Sequence, residues 1–188
     1  MNCNPIKETR QDGKEEVIRL NLPLTDLQRS SLQAGQMVYL TGTLYTARDQ
    51  AHLRMLQEIR EGKELPIPLS EAGIYYCGPT PARPGNLVGS IGPTTSSRMD
   101  KMTVPLLEKG LKLMIGKGKR SPEVVKAIAE QKALYLSAIG GAGALYAGCI
   151  TSMEPVAYED LMAEAVYRIE VKDFPAVVSV DSSGNTIF

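Results

Sequence analysis

The chain has 188 residues, 43% of them hydrophobic and 22% charged, which is typical of one globular domain of ordinary size. Lysine plus arginine and aspartate plus glutamate both total 21, so the formal net charge is zero and neither nucleic acid nor an anionic membrane is an expected partner. The three cysteines, Cys3, Cys77 and Cys149, are far apart, which argues against a disulfide framework and against an iron–sulfur cluster held by this chain alone.

The termini and the hydropathy pattern predict a cytoplasmic protein. No apolar run reaches the about 18 residues of a membrane span, and the polar N-terminus lacks the apolar core of a signal peptide. Unpaired cysteines favour a reducing compartment. We expect residues 1–14 to form a polar arm and residues 15–188 to form a single domain.

The first part of the chain predicts strands and helices in alternation. Alternating polar and apolar residues favour a strand at 16–22, and β-branched and aromatic residues favour a strand at 37–45. Residues 25–33 are compatible with a short helix, and apolar residues at helical spacing favour a helix at 46–61. Thr25 is the expected N-cap of the first helix, and Gly62 is the expected end of the second.

The rest of the chain continues the alternation and then becomes richer in strands. The predicted elements are a strand at 73–77, a helix at 99–109, a strand at 111–115, a helix at 121–132 capped by Ser121, a strand at 134–139, a helix at 158–166 and strands at 168–171, 176–181 and 186–188. This order indicates an α/β domain with β-rich ends. The loop between residues 77 and 99 is long and rich in Gly, Pro, Ser and Thr, as functional loops often are.

One candidate site lies in residues 43–52, where a strand is followed by a helix. Arg48 falls in the first helical turn, where a cation is disfavoured, so it should have a specific anionic partner. That partner could be a ligand carboxylate, or Asp49 or Glu58 in a surface ion pair. His52, the only histidine, lies one turn further and could share the site or pack in the core.

Two further segments carry candidate ligand groups. Residues 92–100 place four consecutive hydroxyls before Arg98, which can form a nest for a carboxylate or phosphate, or a loop in which Ser96 or Ser97 caps a helix. Residues 116–120 place Lys117 between glycines at a strand end, as either a ligand contact or a basic turn. The glycines at 140–143 favour close packing or ligand approach, and Cys77 is expected to be a buried small hydrophobe.

These segments together closely resemble the β region of class I, iron–sulfur-dependent fumarases and L-tartrate dehydratases. The matching strings are residues 42–52, 75–79, 89–100 and 116–118, and the resemblance runs from about residue 15 to the end. In that family the β region is a separate subunit or the C-terminal domain of a longer chain, and this length resembles the separate subunit.

The resemblance implies a fold, an activity and a site. The fold is a swivelling β/β/α domain, an α/β arrangement with a mixed sheet or small barrel and flanking helices. The activity is reversible hydration of fumarate to L-malate, with a four-iron four-sulfur cluster held by a partner α subunit. The implied site residues are the carboxylate ligands Arg48, Arg98 and Lys117, the base Thr94, which could instead position substrate, and the further candidates His52, Thr95 and Asp100.

Other functions remain open at this point. The chain could be the β subunit of an L-tartrate dehydratase, or a cluster-independent domain that binds or tautomerises a dicarboxylate. The family resemblance also implies a homodimer or an α2β2-type assembly. Two departures from the family pattern are Ser96–Ser97, where many members have Ala-Gly, and Lys119, where many have Asn.

Overall fold

The computed structural model describes residues 6–9, 16–82, 84–85 and 87–188. Within them, one mixed sheet is flanked by helices. Its strands are β1 (Ile6–Thr9), β2 (Glu16–Asn21), β3 (Met37–Thr46), β4 (Gly73–Tyr75), β5 (Leu113–Gly116), β6 (Leu134–Ser137), β7 (Ile150–Ala157) and β8 (Val166–Val180). The helices are α1 (Asp26–Ser31), α2 (Asp49–Arg60), α3 (Asp100–Glu108), α4 (Pro122–Glu130) and α5 (Gly143–Gly148), with 3₁₀ segments at Ser96–Met99 and Glu159–Glu164.

The sheet closes on itself because β8 reaches back to β3. The strand order is β1-β2-β3-β4-β5-β6-β8-β7, and the additional β3–β8 pairing joins β3, β4, β5, β6 and β8 into a five-stranded barrel. Strands β2, β3, β4, β5 and β6 run parallel to one another, whereas β1 runs antiparallel to β2, and β8 runs antiparallel to β3, β6 and β7. Closure pairs the edges that an open sheet would expose.

Two apolar clusters lie on opposite faces of the barrel strands. Because successive strand residues point to opposite faces, Tyr75 and Ile115 join the cluster that fills the barrel, while Ile74 and Met114 join the cluster under the helices. The second cluster receives the apolar faces of α2, α3 and α4. These helices are therefore held against the outside of β4 and β5, and their N-terminal ends lie near the ends of those strands.

Most of the predicted elements are confirmed. The fold class, an α/β mixed sheet that forms a small barrel with flanking helices, is also confirmed. Thr25 caps α1 by accepting from the Gln28 N–H, and Ser121 caps α4 by accepting from the Val124 N–H. The arm predicted for residues 1–14 lies mostly outside the described residues, and its residues 6–9 form β1.

Several expectations about the second half of the chain were wrong. The predicted strands 168–171 and 176–181 form one continuous strand, β8, which tolerates Pro175 although proline removes a backbone donor. The helix predicted at 158–166 is a 3₁₀ segment interrupted at Met162, and residues 186–188 contribute only an isolated bridge between Thr186 and Val180.

Helix α5 and strand β7 were not predicted. The sequence of α5, Gly-Ala-Leu-Tyr-Ala-Gly, is short and begins and ends with the residue least suited to helices after proline. Strand β7 is mostly exposed along its length, so it lacks the apolar alternation of a half-buried strand. None of the described helices is long and apolar enough to cross a lipid bilayer.

Candidate functional site

The candidate residues gather where parallel strands end. Arg48 follows β3, Gly78 lies just beyond β4, and Lys117 directly follows β5. Because these strands are parallel neighbours, their carboxyl ends meet at the same edge of the sheet, which is where α/β sheets generally bind ligands. The topology thus brings together segments that lie far apart in the chain.

Arg48 is the N-cap residue of α2, but its side chain does not cap the helix. Its Nε lies 3.4 Å from Asp49 Oδ2, and its Nη2 lies 3.2 Å from Glu164 Oε1. One of the two ion pairs considered from the sequence is therefore present, whereas Glu58 accepts a hydrogen bond from the Tyr158 hydroxyl. A Cβ atom at Gly78 would lie 2.9 Å from Arg48 Nη1, so glycine leaves room for the guanidinium.

Arg98 lies in the 3₁₀ turn before α3, with its side chain 50% exposed. Its Nε donates to Asp49 Oδ1 at 3.0 Å, and its Nη2 donates to Asp49 Oδ2 at 2.8 Å. Asp49 consequently bridges Arg48 and Arg98. Two of the cations predicted to share a site do converge on the same carboxylate.

Thr94 and Lys117 are joined through the backbone. The Thr94 N–H donates to the Tyr76 carbonyl at 2.6 Å, the Lys117 N–H donates to the Thr94 carbonyl at 3.3 Å, and the Ser96 N–H donates to the Lys117 carbonyl at 2.9 Å. The loop before α3 thereby extends the sheet beyond the ends of β4 and β5. Thr94 is half-buried and Thr95 is exposed.

The Lys117 side chain runs toward the glycines that follow β6. Its Cδ lies 3.7 Å from the position that a Cβ would take on Gly140. Within the described residues, Lys117 pairs with no carboxylate, unlike Arg48 and Arg98. Among the described residues, Lys117 is therefore the site cation that has no ion pair with a carboxylate.

Gly116 allows the hydroxyl loop to pack onto β5. A Cβ at Gly116 would lie 2.0 Å from Ser96 Oγ and 3.0 Å from a ring carbon of Tyr76. Ser96 is buried rather than capping a helix, and its Oγ lies 2.9 Å from the Tyr135 hydroxyl, which also donates to the Gly118 carbonyl at 2.8 Å. The glycine thus has a packing role that places Thr94 and Arg98.

We expect Gly116→Ala to destabilise the protein by about 1–3 kcal/mol, because the added methyl overlaps Ser96. Denaturant unfolding checks this, with Gly148→Ala as a matched control, since a Cβ there meets nothing within 4 Å. Combining Gly116→Ala with Ser96→Ala should restore part of the loss. A Gly116→Ala variant as stable as Gly148→Ala would contradict the packing role.

Asp100 faces inward and supports the loop from below. Its carboxylate accepts from Arg120 Nε at 2.7 Å and from the Ser121 N–H at 2.8 Å. The Arg120 side chain is 0% exposed, and its guanidinium lies over the rings of Tyr76 and Tyr135 at 5.3 and 5.0 Å. The structure thus places Asp100 in a buried ion pair with Arg120 that links α3 to the start of α4. The sequence does not reveal this role of Arg120, because Arg120 ends the basic run Lys-Gly-Lys-Arg.

His52 lies in the core beneath the site. It is 0% exposed, its Nδ1 lies 3.0 Å from the Arg48 carbonyl oxygen, and its ring contacts the Tyr76 ring edge-on at 5.1 Å. Its Nε2 has no hydrogen-bond partner among the described residues. Burial lowers the pKa of His52 to about 4, so the ring is neutral at physiological pH.

The buried His52 should make stability depend on pH. The unfolded chain binds a proton on this ring below about pH 6.5, whereas the folded protein does not until about pH 4, so stability is lost as the pH falls between these values. The loss should approach about 3 kcal/mol and can be measured by urea unfolding from pH 7 to pH 4. In His52→Gln this part of the slope should disappear; an unchanged slope would contradict the assignment.

The described residues offer no ligand set for a metal or cluster. No group of three or more His, Cys, Asp or Glu side chains among them is arranged to hold a metal ion. Cys77 is buried as predicted, with its thiol pKa raised by burial, and both Cys77 and Cys149 are free thiols.

The fold and site define an α/β barrel domain with clustered cations at the ends of its parallel strands.

The family model described as the fumarase C-terminus matches residues 2–188. The anaerobic class I fumarate hydratase of Escherichia coli K12 is 41% identical over 97% of this chain and 34% of its own length. Fumarate hydratase 1, mitochondrial, of Leishmania major is 40% identical over 92% of this chain and 32% of its own length.

A third relative matches over most of both chains. The putative L(+)-tartrate dehydratase subunit beta of Methanocaldococcus jannaschii is 36% identical, covering 88% of each protein. The chain thus belongs to the fumarase C-terminus family, whose relatives named here are hydro-lyases, and the resemblance seen in the sequence is confirmed. It spans about a third of the length of the fumarate hydratases that it matches.

Proposed function

We propose that this chain is the β subunit of a class I fumarate hydratase and binds the substrate dicarboxylate for reversible hydration of fumarate to L-malate. The observation that carries the proposal is the convergence of Arg48 and Arg98 on one carboxylate at the same strand ends as Lys117 and Thr94. The relatives named fumarate hydratase support the substrate class.

The charge of the site suits this substrate. Fumarate and malate carry two carboxylates, and removal of the C3 proton of malate develops further negative charge next to one of them. Guanidinium groups can hold a carboxylate with two hydrogen bonds, and fixed cations stabilise developing charge without reorganising at the moment of reaction. Lys117, which has no carboxylate partner among the described residues, is available to the substrate from the start.

We propose Thr94 as the base that removes the C3 proton. Its side chain is half-buried, and no hydrogen bond of its hydroxyl is found among the described residues. A threonine alkoxide forms only if nearby cations lower the pKa of the hydroxyl, and the neighbouring Arg98 and Lys117 supply positive charge. The proton would pass from C3 of malate to Thr94 Oγ1, the C3–H electron pair would form the C2–C3 double bond, and the C2 hydroxyl would leave and be released as water.

We propose that an α subunit carries the iron–sulfur cluster and completes the site. The chain spans about a third of the length of the fumarate hydratases that it matches, so most of each relative lies outside the region that this chain resembles. The match to the relative named subunit beta covers 88% of this chain and 88% of that relative, which supports a two-subunit enzyme.

The test is anaerobic reconstitution with the α subunit, followed by assays on fumarate with malate and on tartrate with oxaloacetate. Turnover of fumarate by the complex but by neither part alone is the expected result. Preference for tartrate would instead make the chain an L-tartrate dehydratase subunit. This second candidate is favoured by the match to the putative tartrate dehydratase subunit beta, which covers 88% of both chains. Turnover of a dicarboxylate by this chain without cluster would contradict both and identify a tautomerase-like domain.

A further inference from the structure

Asp49 occupies a central position among the cations of the site. It is the first residue of α2, its side chain is 20% exposed, and it pairs with both Arg48 and Arg98. Two interpretations give opposite expectations. Asp49 either competes with the substrate for the guanidiniums or holds them in the orientation that binds a substrate carboxylate.

The geometry of the Asp49–Arg98 contact favours the second interpretation, in which Asp49 orients the guanidinium. A guanidinium can pair with a carboxylate through its Nε–Nη2 edge or through its Nη1–Nη2 edge. Asp49 takes the Nε–Nη2 edge of Arg98, at 3.0 and 2.8 Å. The Nη1–Nη2 edge is left for a second carboxylate, so a substrate does not have to displace Asp49.

Arg48 also keeps one nitrogen that is not used by its ion pairs. Its Nε contacts Asp49 and its Nη2 contacts Glu164, whereas Nη1 is engaged by neither carboxylate and extends over Gly78. In both arginines, Nη1 is the guanidinium nitrogen that no described carboxylate contacts. Each guanidinium therefore keeps at least one donor for a ligand after these ion pairs are made.

Holding Arg98 has an energetic reason. Arg98 lies on a 3₁₀ turn, half-exposed, and an unrestrained arginine side chain loses substantial rotamer entropy when it is fixed by a ligand. The carboxylate of Asp49 also reduces the mutual repulsion of two guanidiniums that share it. Both effects are present before substrate binds, so more of the binding free energy appears as affinity.

We propose that Asp49 is a positioning residue that orients Arg48 and Arg98 for the substrate carboxylate. This inference rests on the proposed function. The positioning role predicts that removing the Asp49 charge weakens substrate binding. Electrostatic repulsion alone predicts the opposite, because removing a negative charge beside a site for a dianion would tighten binding. The sign of the change in KM therefore distinguishes the two interpretations.

The test is steady-state kinetics of Asp49→Asn in the complex reconstituted with the α subunit. The KM for the dicarboxylate should rise by about 10- to 100-fold, with a smaller change in kcat, because a charge-assisted bidentate contact that orients Arg98 is lost. Asp49→Glu, which keeps the carboxylate, should lie closer to the wild type. In a double-mutant cycle, Asp49→Asn and Arg98→Lys should be non-additive, because Asp49 acts through Arg98.

Asp160→Asn is the matched control. Asp160 makes the same kind of bidentate ion pair with Arg54, at 2.6 and 2.8 Å, and 64% of its side chain is exposed. The KM of Asp160→Asn for the dicarboxylate should stay at the wild-type value. A fall or no change in the KM of Asp49→Asn, a loss confined to kcat, or an equal rise in Asp160→Asn would overturn the positioning role. A wild-type complex without activity would contradict the proposed function instead.

Discussion

Replacing Arg48 by alanine should reduce kcat/KM of the reconstituted enzyme by about 1,000-fold or more, because the proposed charge-assisted contact of Arg48 with a substrate carboxylate would be lost. Stability should change by only about 1 kcal/mol, since the ion pairs of Arg48 with Asp49 and Glu164 are partly exposed. Kinetics with fumarate and malate, together with the melting temperature, separate the two effects.

Two further variants test whether activity needs the guanidinium group of Arg48 in particular. Arg48→Lys keeps the charge but not the planar fork, so it should remain well below the wild type. Arg54→Ala removes another arginine of α2 whose ion pair with Asp160 is exposed, and should keep nearly full activity. Co-elution with the α subunit shows whether assembly survives. An assembled Arg48→Ala complex with full activity would remove Arg48 from the site.

Replacing Thr94 by alanine should lower kcat by about 100- to 10,000-fold, the usual contribution of a positioned general base, with little change in KM. The backbone contacts of Thr94 with Tyr76 and Lys117 do not involve its side chain, so the fold should be preserved. Thr94→Ser keeps a hydroxyl and should retain measurable turnover, whereas Thr94→Val keeps the shape and should not.

Proton exchange distinguishes the base from a positioning hydroxyl. If Thr94 removes the C3 proton, exchange of that proton of malate with deuterated solvent should fall together with turnover in Thr94→Ala. Exchange at the wild-type rate in a variant that no longer dehydrates malate would place the base on another residue. Full turnover by Thr94→Val would exclude both roles for the hydroxyl.

Local signals in the sequence were sufficient for most of the elements that carry the site. β-Branched and aromatic composition identified β3, apolar periodicity identified α2, and the capping residues Thr25 and Ser121 marked the starts of α1 and α4. These signals are short-range, because caps and helical faces depend on neighbours within about one turn. Strand β7, which is exposed along most of its length, has no such signal and was missed.

The internal partners of the site residues could not be predicted in the same way. Spacing suggested Asp49 or Glu58 for Arg48, but Glu164 lies on a distant 3₁₀ segment that was expected to be an ordinary helix. Asp100 looked like a ligand-loop residue, yet its partner Arg120 is buried behind it. Such pairs depend on which elements pack together, which a single sequence does not encode locally.

The sequence by itself determined the family, the succession of strands and helices and the identity of the candidate cations, because these depend on ordered motifs and local periodicity. Only the tertiary structure decided that Arg48 and Arg98 share Asp49, that Lys117 is left without a carboxylate partner in the described chain, and that His52 is buried beneath them. The physical reason is the parallel order of β3, β4 and β5, which brings their carboxyl ends to one edge.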